Sequence, residues 1–427
     1  MPESTLKIIA LIIFALMYVG IIGLPKLKQY FSLGVAVIFI ILGILPVSEI
    51  LPAVNWNALM MIAGTMIIVF YFIESQMPNR IADFLLKKAP NVMWVTILMS
   101  LFSGVVSAFI DNVATVLMIA PVGIAICKKL NISPVGMILS IAVSSNLQGA
   151  ATLVGDTTSI MLGGYAGMDF NSFFWMEGRP GMFFAVELGA LATIPIMMYL
   201  FRKDKQPVVS NEHTTVTDYI PTVTLIGVVV LLIAASFIPN KPEVTNGLLC
   251  MILALVTAVA EAIRSKSLKG AWEAFKSVDF ETLLLLLGLF LVIEGINEIG
   301  IIDDFAKWIV KVGGNNLFLL YSMIVWGSVL ISAFVDNIPY VATMLPVLSV
   351  VTRDLGVEPY LLYFGLLCGA TLGGNLTPVG ASANITAMSL LRRQGYNVSF
   401  KNYARIGIPF TLAAVLAGYL FIWFVWR

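Results

Sequence analysis

Residues 107–122 read SAFIDNVATVLMIAPV, and residues 332–347 read SAFVDNIPYVATMLPV. Eight of the sixteen paired positions are identical, and each copy sets an acid and an amide, Asp111-Asn112 and Asp336-Asn337, inside apolar sequence long enough to cross a bilayer. An ionisable side chain in hydrocarbon costs several kcal/mol, on the order of 3 on insertion scales, unless protein or trapped water surrounds it. A chain that incurs this cost twice, at equivalent places, is building something with the two acids. The residues around them predict what.

Of the 427 residues, 59% are hydrophobic and only 11% are charged, with a mean hydropathy of +0.96. That leaves too little polar surface to wrap a water-soluble globule, so the chain reads as an integral membrane protein. Lys plus Arg (25) nearly cancels Asp plus Glu (24), and no block of like charge forms an interaction tail, which argues against nucleic acid as a partner. Cys127, Cys250 and Cys368 fall in separate apolar segments without CxxC or Cys/His spacing, which suits small core residues and neither a disulfide framework nor a thiolate metal site. Ile8–Leu24 lacks a small-residue cleavage site and is followed by many equivalent runs, so it reads as a first span and not as a cleaved signal. His213 stands alone in a polar stretch and reads as a solvated loop residue.

A span needs about 20 mostly apolar residues. Candidates fall near 6–24, 33–51, 57–73, 134–147, 180–201, 220–238, 244–262, 280–297, 360–373 and 403–425. Two further stretches, 92–127 and 317–352, are interrupted in the middle by Asp-Asn and predict re-entrant helical hairpins. Two halves repeat across a polar linker, 202–219. FIESQMPNRIADFLLKKAPN (72–91) aligns with INEIGIIDDFAKWIVKVGGN (296–315) at an offset of 224, and the Asp-Asn segments onward align at 225. The first repeat, 1–201, holds hairpin 92–127 and broken helix 134–162; the second, 220–427, holds hairpin 317–352 and broken helix 360–391. Five spans and one hairpin per half force the second copy to insert upside down, an inverted-topology repeat in an all-α polytopic fold. Most of the 25 basic residues, among them Lys26, Lys28, Lys87, Lys88, Lys128, Lys129, Arg202, Lys203, Arg392 and Arg393, then share one side, which the positive-inside rule makes cytoplasmic. No Lys or Arg falls at a proposed hydrocarbon centre. The mixed segments 78–90 and 302–314 read as amphipathic helices lying in the interface.

Non-helical backbone inside a membrane survives only against protein or a water-filled cavity. Four such breaks are expected: the tips at Asp111-Asn112 and Asp336-Asn337, and QGAATLVGDTTS (148–159) and GGNLTPVGASAN (373–384), where glycines and Pro378 disfavour continuous helix. Each break turns a span into half-helices whose N-termini favour anions, while exposed carbonyls beside a carboxylate suit sodium or a proton. Asp111, Asn112, Asp336 and Asn337 are the sodium candidates. Thr115, Thr152, Thr157, Thr158, Asn375, Thr377, Ser382 and Asn384 add hard oxygen and amide ligands, and Gly149, Gly155, Gly374 and Gly380 expose backbone. Asp111, Asp336, Asp156 and Ser382 stand where they cap the returning half-helices. Asp156 has Ala381 as its repeat partner, and this asymmetry makes it the candidate titrating acid: burial favours its protonated form and an arriving cation favours release of the proton. Glu187 and Glu294 lie within spans without acidic repeat partners and serve either helix–helix bonding or proton relay.

SAFIDNVATVLMIAPV, SNLQGAATLVGDTTSIMLGG (145–164), SAFVDNIPYVATMLPV and CGATLGGNLTPVGASANITAMSLLRRQGYNVSF (368–400) together resemble the ion transporter superfamily. The resemblance is to its branch of arsenite permeases, NhaD-type sodium/proton antiporters and the melanosomal P protein, and LGGN…GASAN with GYNVSF fits the P protein pattern well; citrate and dicarboxylate carriers are similar at greater distance. It covers nearly the whole chain and implies an elevator-type transporter, in which a dimeric scaffold holds still while hairpins and broken helices carry the site. In the carboxylate carriers the tips read Ser-Asn-Thr; here they read Asp111-Asn112-Val113 and Asp336-Asn337-Ile338, and two acids without an intramembrane base repel a dianion. Asp156-Thr157-Thr158 stands where antiporter and P protein relatives tend to have Asp-Pro-Pro.

The expected function is therefore a secondary transporter, coupled to sodium or protons, that moves a small inorganic ion or solute across a bacterial or archaeal plasma membrane. It works as a homodimer without cofactor, and sodium/proton exchange is favoured. The alternative is an arsenite or antimonite efflux permease with a partner ATPase; a citrate/dicarboxylate carrier and an ion channel rank lower. No nucleophile or metal constellation suggests an enzyme, and no GxxxxGK[ST] supplies a nucleotide-driven pump.

Overall fold

A computed structural model describes residues 3–208, 214–314 and 316–427. His213 lies outside the described residues. The first half runs α1 (Glu3–Gly23), α2 (Lys28–Ile41), α3 (Ile50–Ala53), α4 (Trp56–Glu74), α5 (Met77–Lys88), α6 (Val92–Ser107), α7 (Asn112–Lys129), α8 (Val135–Gln148), α9 (Thr157–Ala166) and α10 (Met182–Leu200). The second runs α11 (Ile220–Ala235), α12 (Thr245–Ser265), α13 (Lys269–Ser277), α14 (Phe280–Glu298), α15 (Ile301–Gly313), α16 (Leu317–Ser332), α17 (Asn337–Leu355), α18 (Tyr360–Gly373), α19 (Ser382–Arg393) and α20 (Phe400–Trp426). A two-residue hairpin, β1 (Trp175–Met176) on β2 (Arg179–Pro180), is the sheet among the described residues.

Helix starts follow local chemistry. Asn55, Asn91, Asp279, Asn316 and Ser399 cap α4, α6, α14, α16 and α20, each side-chain oxygen accepting a backbone N–H of the first turn. The second span departs from its expected range of 33–51. A turn opened by Pro25 lets α2 begin at Lys28, and Gly43, at φ +70°, with Pro46 ends it early. This brings Lys28 into the helix. Residues 269–277, which lie between the expected spans 244–262 and 280–297, form the amphipathic α13, with exposed Trp272 stacked on Phe275.

Eight helices among the described residues are long and apolar enough to cross a membrane: α1, α4, α7, α10, α12, α14, α17 and α20. That set differs from the expected ten spans. The hairpin arms α7 and α17 qualify, whereas α2, α8, α11 and α18, at 14 or 16 residues, span only about 21–24 Å of a roughly 30 Å core at 1.5 Å per residue. α8 and α18 are not surface helices in any case. From Met137 to Gln148 and from Leu361 to Gly373 every side chain is buried, the signature of helices packed on all sides.

Around these two central helices lie the hairpins α6–α7 and α16–α17, the short helices α9 and α19, and α10 and α20. A second set, α4 on α12 and α14 on α2, crosses closely through Gly64 and Gly288. A Cβ on Gly64 would stand 2.6 Å from the Cys250 carbonyl carbon, and one on Gly288 2.6 Å from that of Ser32. Glycine here permits backbone contact that any side chain would prevent.

Candidate ion-binding site

Each hairpin turns at its Asp-Asn pair. Asp111 Oδ1 accepts from the backbone N–H of Val113 at 3.0 Å and of Ala114 at 3.2 Å, and Asp336 Oδ1 accepts more loosely from Ile338 at 3.5 Å. Both acids thus cap the returning arm. At α9 and α19 the arrangement differs from the expected caps. Ala381, and not Ser382, precedes α19, while Asp156 precedes α9 without a side-chain cap. Its carboxylate turns inward: Oδ2 accepts from the Thr158 hydroxyl at 2.8 Å and from Asn337 Nδ2 at 3.4 Å. Thr158 spends its one hydroxyl hydrogen on Asp156 and so accepts from the Thr371 hydroxyl, 3.0 Å away. The acid of the first half is therefore held by Thr158 of its own half and by the tip amide of the second, with Thr371 of the second half bonded to Thr158 behind it.

The two halves are stitched by buried amides. Asn112 Nδ2 donates to Asn146 Oδ1 at 3.0 Å; Asn146 Nδ2 donates to the Thr371 carbonyl at 2.6 Å and Asn375 Oδ1 at 3.2 Å; Asn375 Nδ2 donates to the Val143 carbonyl at 2.8 Å. Asn384 Nδ2 reaches Asn375 Oδ1 at 3.2 Å and the Gly374 carbonyl at 3.3 Å. The side-chain nitrogens of Asn112, Asn146, Asn375 and Asn384 are all bonded, which fixes one packing of the groups they join, while Asn384 Oδ1 is buried without a partner.

A small cavity of about 150 Å³ opens beside this network. Asp111, Asn112, Asp156, Thr157, Asn337 and Ser382 line it, together with Lys28, Met66, Asp279, Glu281 and Thr282. Asp336 closes one edge through an ion pair to Lys28, with Nζ 2.9 Å from Oδ2 and the two side chains 15% and 20% exposed. Asp156 lies within electrostatic range of both Asp111 and Asp336. The other candidates stand behind this surface. The Thr152 hydroxyl bonds the Ala108 carbonyl and that of Thr377 bonds the Ala333 carbonyl; Thr115 bonds the Ile110 carbonyl at 3.4 Å. Gly155 and Gly380 pack so closely under the hairpins that an added Cβ would lie 2.6–2.7 Å from the Ser107 and Ala108 carbonyl oxygens, and 2.6–2.8 Å from those of Ser332 and Ala333. Gly149 and Gly374 sit directly under Gly155 and Gly380. Glu187 is on α10, away from the cavity, and Glu294 lines a separate one.

Sequence reasoning missed Lys28, Asp279, Glu281, Asn146 and Thr371. A signal existed for the last two: Asn146 and Thr371 are repeat partners at offset 225, a polar residue kept at the same place in both spans. Lys28 departs from the reading that no base approaches the tips. It belongs to the first turn of a helix that begins earlier than its apolar run.

The family model described as "Citrate transporter" matches residues 9–363. The chain belongs to the citrate transporter family. Among relatives of this family member, a protein of Mycobacterium tuberculosis described as an uncharacterized transporter is 29% identical over 430 residues, covering 98% of both chains. The P protein of Homo sapiens is 25% identical over 493 residues, covering 96% of this chain and 58% of that protein. Among solved structures, the YdaH transporter of Alcanivorax borkumensis superposes with a TM-score of 0.62 at 13% identity, covering 88% of this chain and 86% of that one, a likeness of fold. The citrate transporter family member is thus a multi-pass membrane protein and a secondary transporter, not an enzyme.

Proposed function

We propose that the chain exchanges small inorganic cations, sodium against protons, at the cavity between the hairpin tips. One observation carries the reading: four carboxylates, Asp111, Asp156, Asp279 and Glu281, line a space of about 150 Å³ whose one ammonium, Lys28, is paired with a fifth, Asp336. Sites for organic ligands run to roughly 300–1,000 Å³, so the space suits an ion stripped of most of its water. The carboxylate excess works against a dianion such as citrate. Lys28 favours an anion, but it is already neutralised by Asp336.

Asp156 is the proton-carrying group in this reading. Its partners, a hydroxyl and an amide, are neutral, so nothing compensates the buried charge until a cation arrives. The two hairpins face opposite sides of the membrane as an inverted repeat. The bundle α6–α9 and α16–α19 moves as one body against a scaffold of α1, α2, α4 and α11–α14, in a homodimer like that implied by the resemblance.

Proteoliposomes carrying an internal pH dye, challenged in turn with sodium, lithium, arsenite, chloride and citrate, test the cargo. Sodium or lithium should move protons in the opposite direction. Citrate uptake without a sodium-dependent pH change would replace this reading with a carboxylate carrier.

A further inference from the structure

A second, larger cavity of about 820 Å³ lies at the other end of the helices that border the small one. α14 begins at the small cavity with Glu281 and reaches the large one with Glu294 and Asn297; α4 begins at the large one with Trp56 and Asn57 and reaches the small one with Met66. α9 and α17 stand between, touching the small cavity with Thr157 and Ile338 and the large one with Gly163 and Ala342.

The walls that the second set of helices gives to the two cavities correspond by repeat position, Met66 of the small one to Phe290 of the large one. At offset 224 Asn55 matches Asp279, each capping its long helix through a side-chain oxygen, and Asn57 matches Glu281. Gly64 and Gly288 match likewise, and the backbones they touch are Cys250-Met251 on α12 and Ser32-Leu33 on α2. One turn before each contact stand Asn246 and Lys28. Asn246 is therefore the counterpart of Lys28, and it lines the large cavity. It is 6% exposed, and its side-chain oxygen is buried without a hydrogen-bond partner.

We propose that the large cavity is a second seat for the moving bundle, in which the Asp111 tip meets Asn246 as the Asp336 tip meets Lys28 here. The two seats differ by one charge. An ammonium holds the first, an amide the second, so the empty carrier rests in the arrangement seen here until a cation displaces Lys28 from Asp336. Lys28 is thus a positioning residue for the exchange proposed above; the seats themselves do not depend on which solute is carried. The travel is set by α4: Met66 lies nine residues beyond Asn57, about 14 Å at 1.5 Å per residue.

Paired cysteines read the two seats while leaving Lys28 and Asn246 intact. In a background with Cys127, Cys250 and Cys368 replaced by alanine, Glu281→Cys with Ile338→Cys reports the first seat, and the repeat-equivalent Asn57→Cys with Val113→Cys reports the second. A short bis-methanethiosulfonate should join the first pair readily and the second weakly. Adding Lys28→Gln should raise the second yield about fivefold relative to the first, the upper end of the scale measured for ion pairs. Efficient joining of the first pair, which shows the variant is folded, with no joining of the second even in Lys28→Gln, would overturn the second seat. An unchanged ratio would overturn the latch. Because the readout is a cross-link, it stands or falls separately from the flux assay that tests the cargo.

Discussion

At the scale of single residues, the site is a set of acids that outnumber its one ammonium, Lys28, and so leave the charge balance open. Asp111→Asn and Asp336→Asn preserve size while removing a charge, so each should reduce sodium-dependent proton flux to background, with little change in thermal stability for Asp111→Asn and a lowered melting temperature for Asp336→Asn, which leaves Lys28 unpaired; flux retained in both would remove the tips from the site. Asp156→Asn should leave transport, where any persists, without pH dependence: a group that binds a proton less readily once sodium arrives makes sodium affinity rise with pH, and the amide cannot. A sodium affinity that still rises with pH in the variant would move the proton elsewhere. Asn146 offers a structural counterpart. Its amide holds the Thr371 carbonyl and Asn375 while its oxygen takes the Asn112 amide, so Asn146→Ala strands buried polar groups at a cost of about 1–3 kcal/mol each. A lowered melting temperature checks this. The tip acids were legible because the same costly residue recurs at a fixed offset. Lys28 was not, because its role depends on where α2 starts, and helix starts are set by a turn that hydropathy does not register.

At the scale of elements, the hairpins and broken helices are held by backbone fit more than by side chains. Pro121 in α7 and Pro346 in α17 occupy the same register, and each removes an N–H from the arm that returns from the tip. Under each turn a threonine hydroxyl, Thr152 or Thr377, takes up a carbonyl at the end of the first arm, and a glycine, Gly155 or Gly380, lets the broken strand pass against the next ones. Gly380→Ala forces a methyl to within 2.6–2.8 Å of three carbonyl oxygens, so the backbone must shift, at about 1–3 kcal/mol. Gly34→Ala on α2 meets nothing within 4 Å and should be neutral or slightly stabilising. Equal melting temperatures for the two variants would contradict the close fit. The breaks could be read from Gly and Pro in apolar sequence, yet the same glycines read equally as exposed ligand backbone; only packing distances show them as spacers beneath the cavity. The short lengths of α8 and α18 were legible too, but their all-round burial requires the neighbours that the hairpins supply.

At the scale of the molecule, the proposed alternation rests on the two halves crossing the membrane in opposite senses. Lys87 near the end of α5 and Lys311 near the end of α15 are repeat partners at offset 224, both exposed, each closing an amphipathic helix that leads into a hairpin. If the halves are inverted, these two positions face opposite sides. A parallel repeat would put them on the same side. Lys87→Cys and Lys311→Cys, each in a chain whose three buried cysteines are replaced by alanine, should therefore be labelled by a membrane-impermeant maleimide from opposite faces of sealed vesicles of known orientation. The positive-inside rule assigns Lys87 to the cytoplasmic face, so labelling of Lys311→Cys should occur in intact cells and that of Lys87→Cys only after permeabilisation. Labelling of both from one face would leave each hairpin opening to the same compartment, and a single cavity between Asp111 and Asp336 could then no longer be handed from one side of the bilayer to the other.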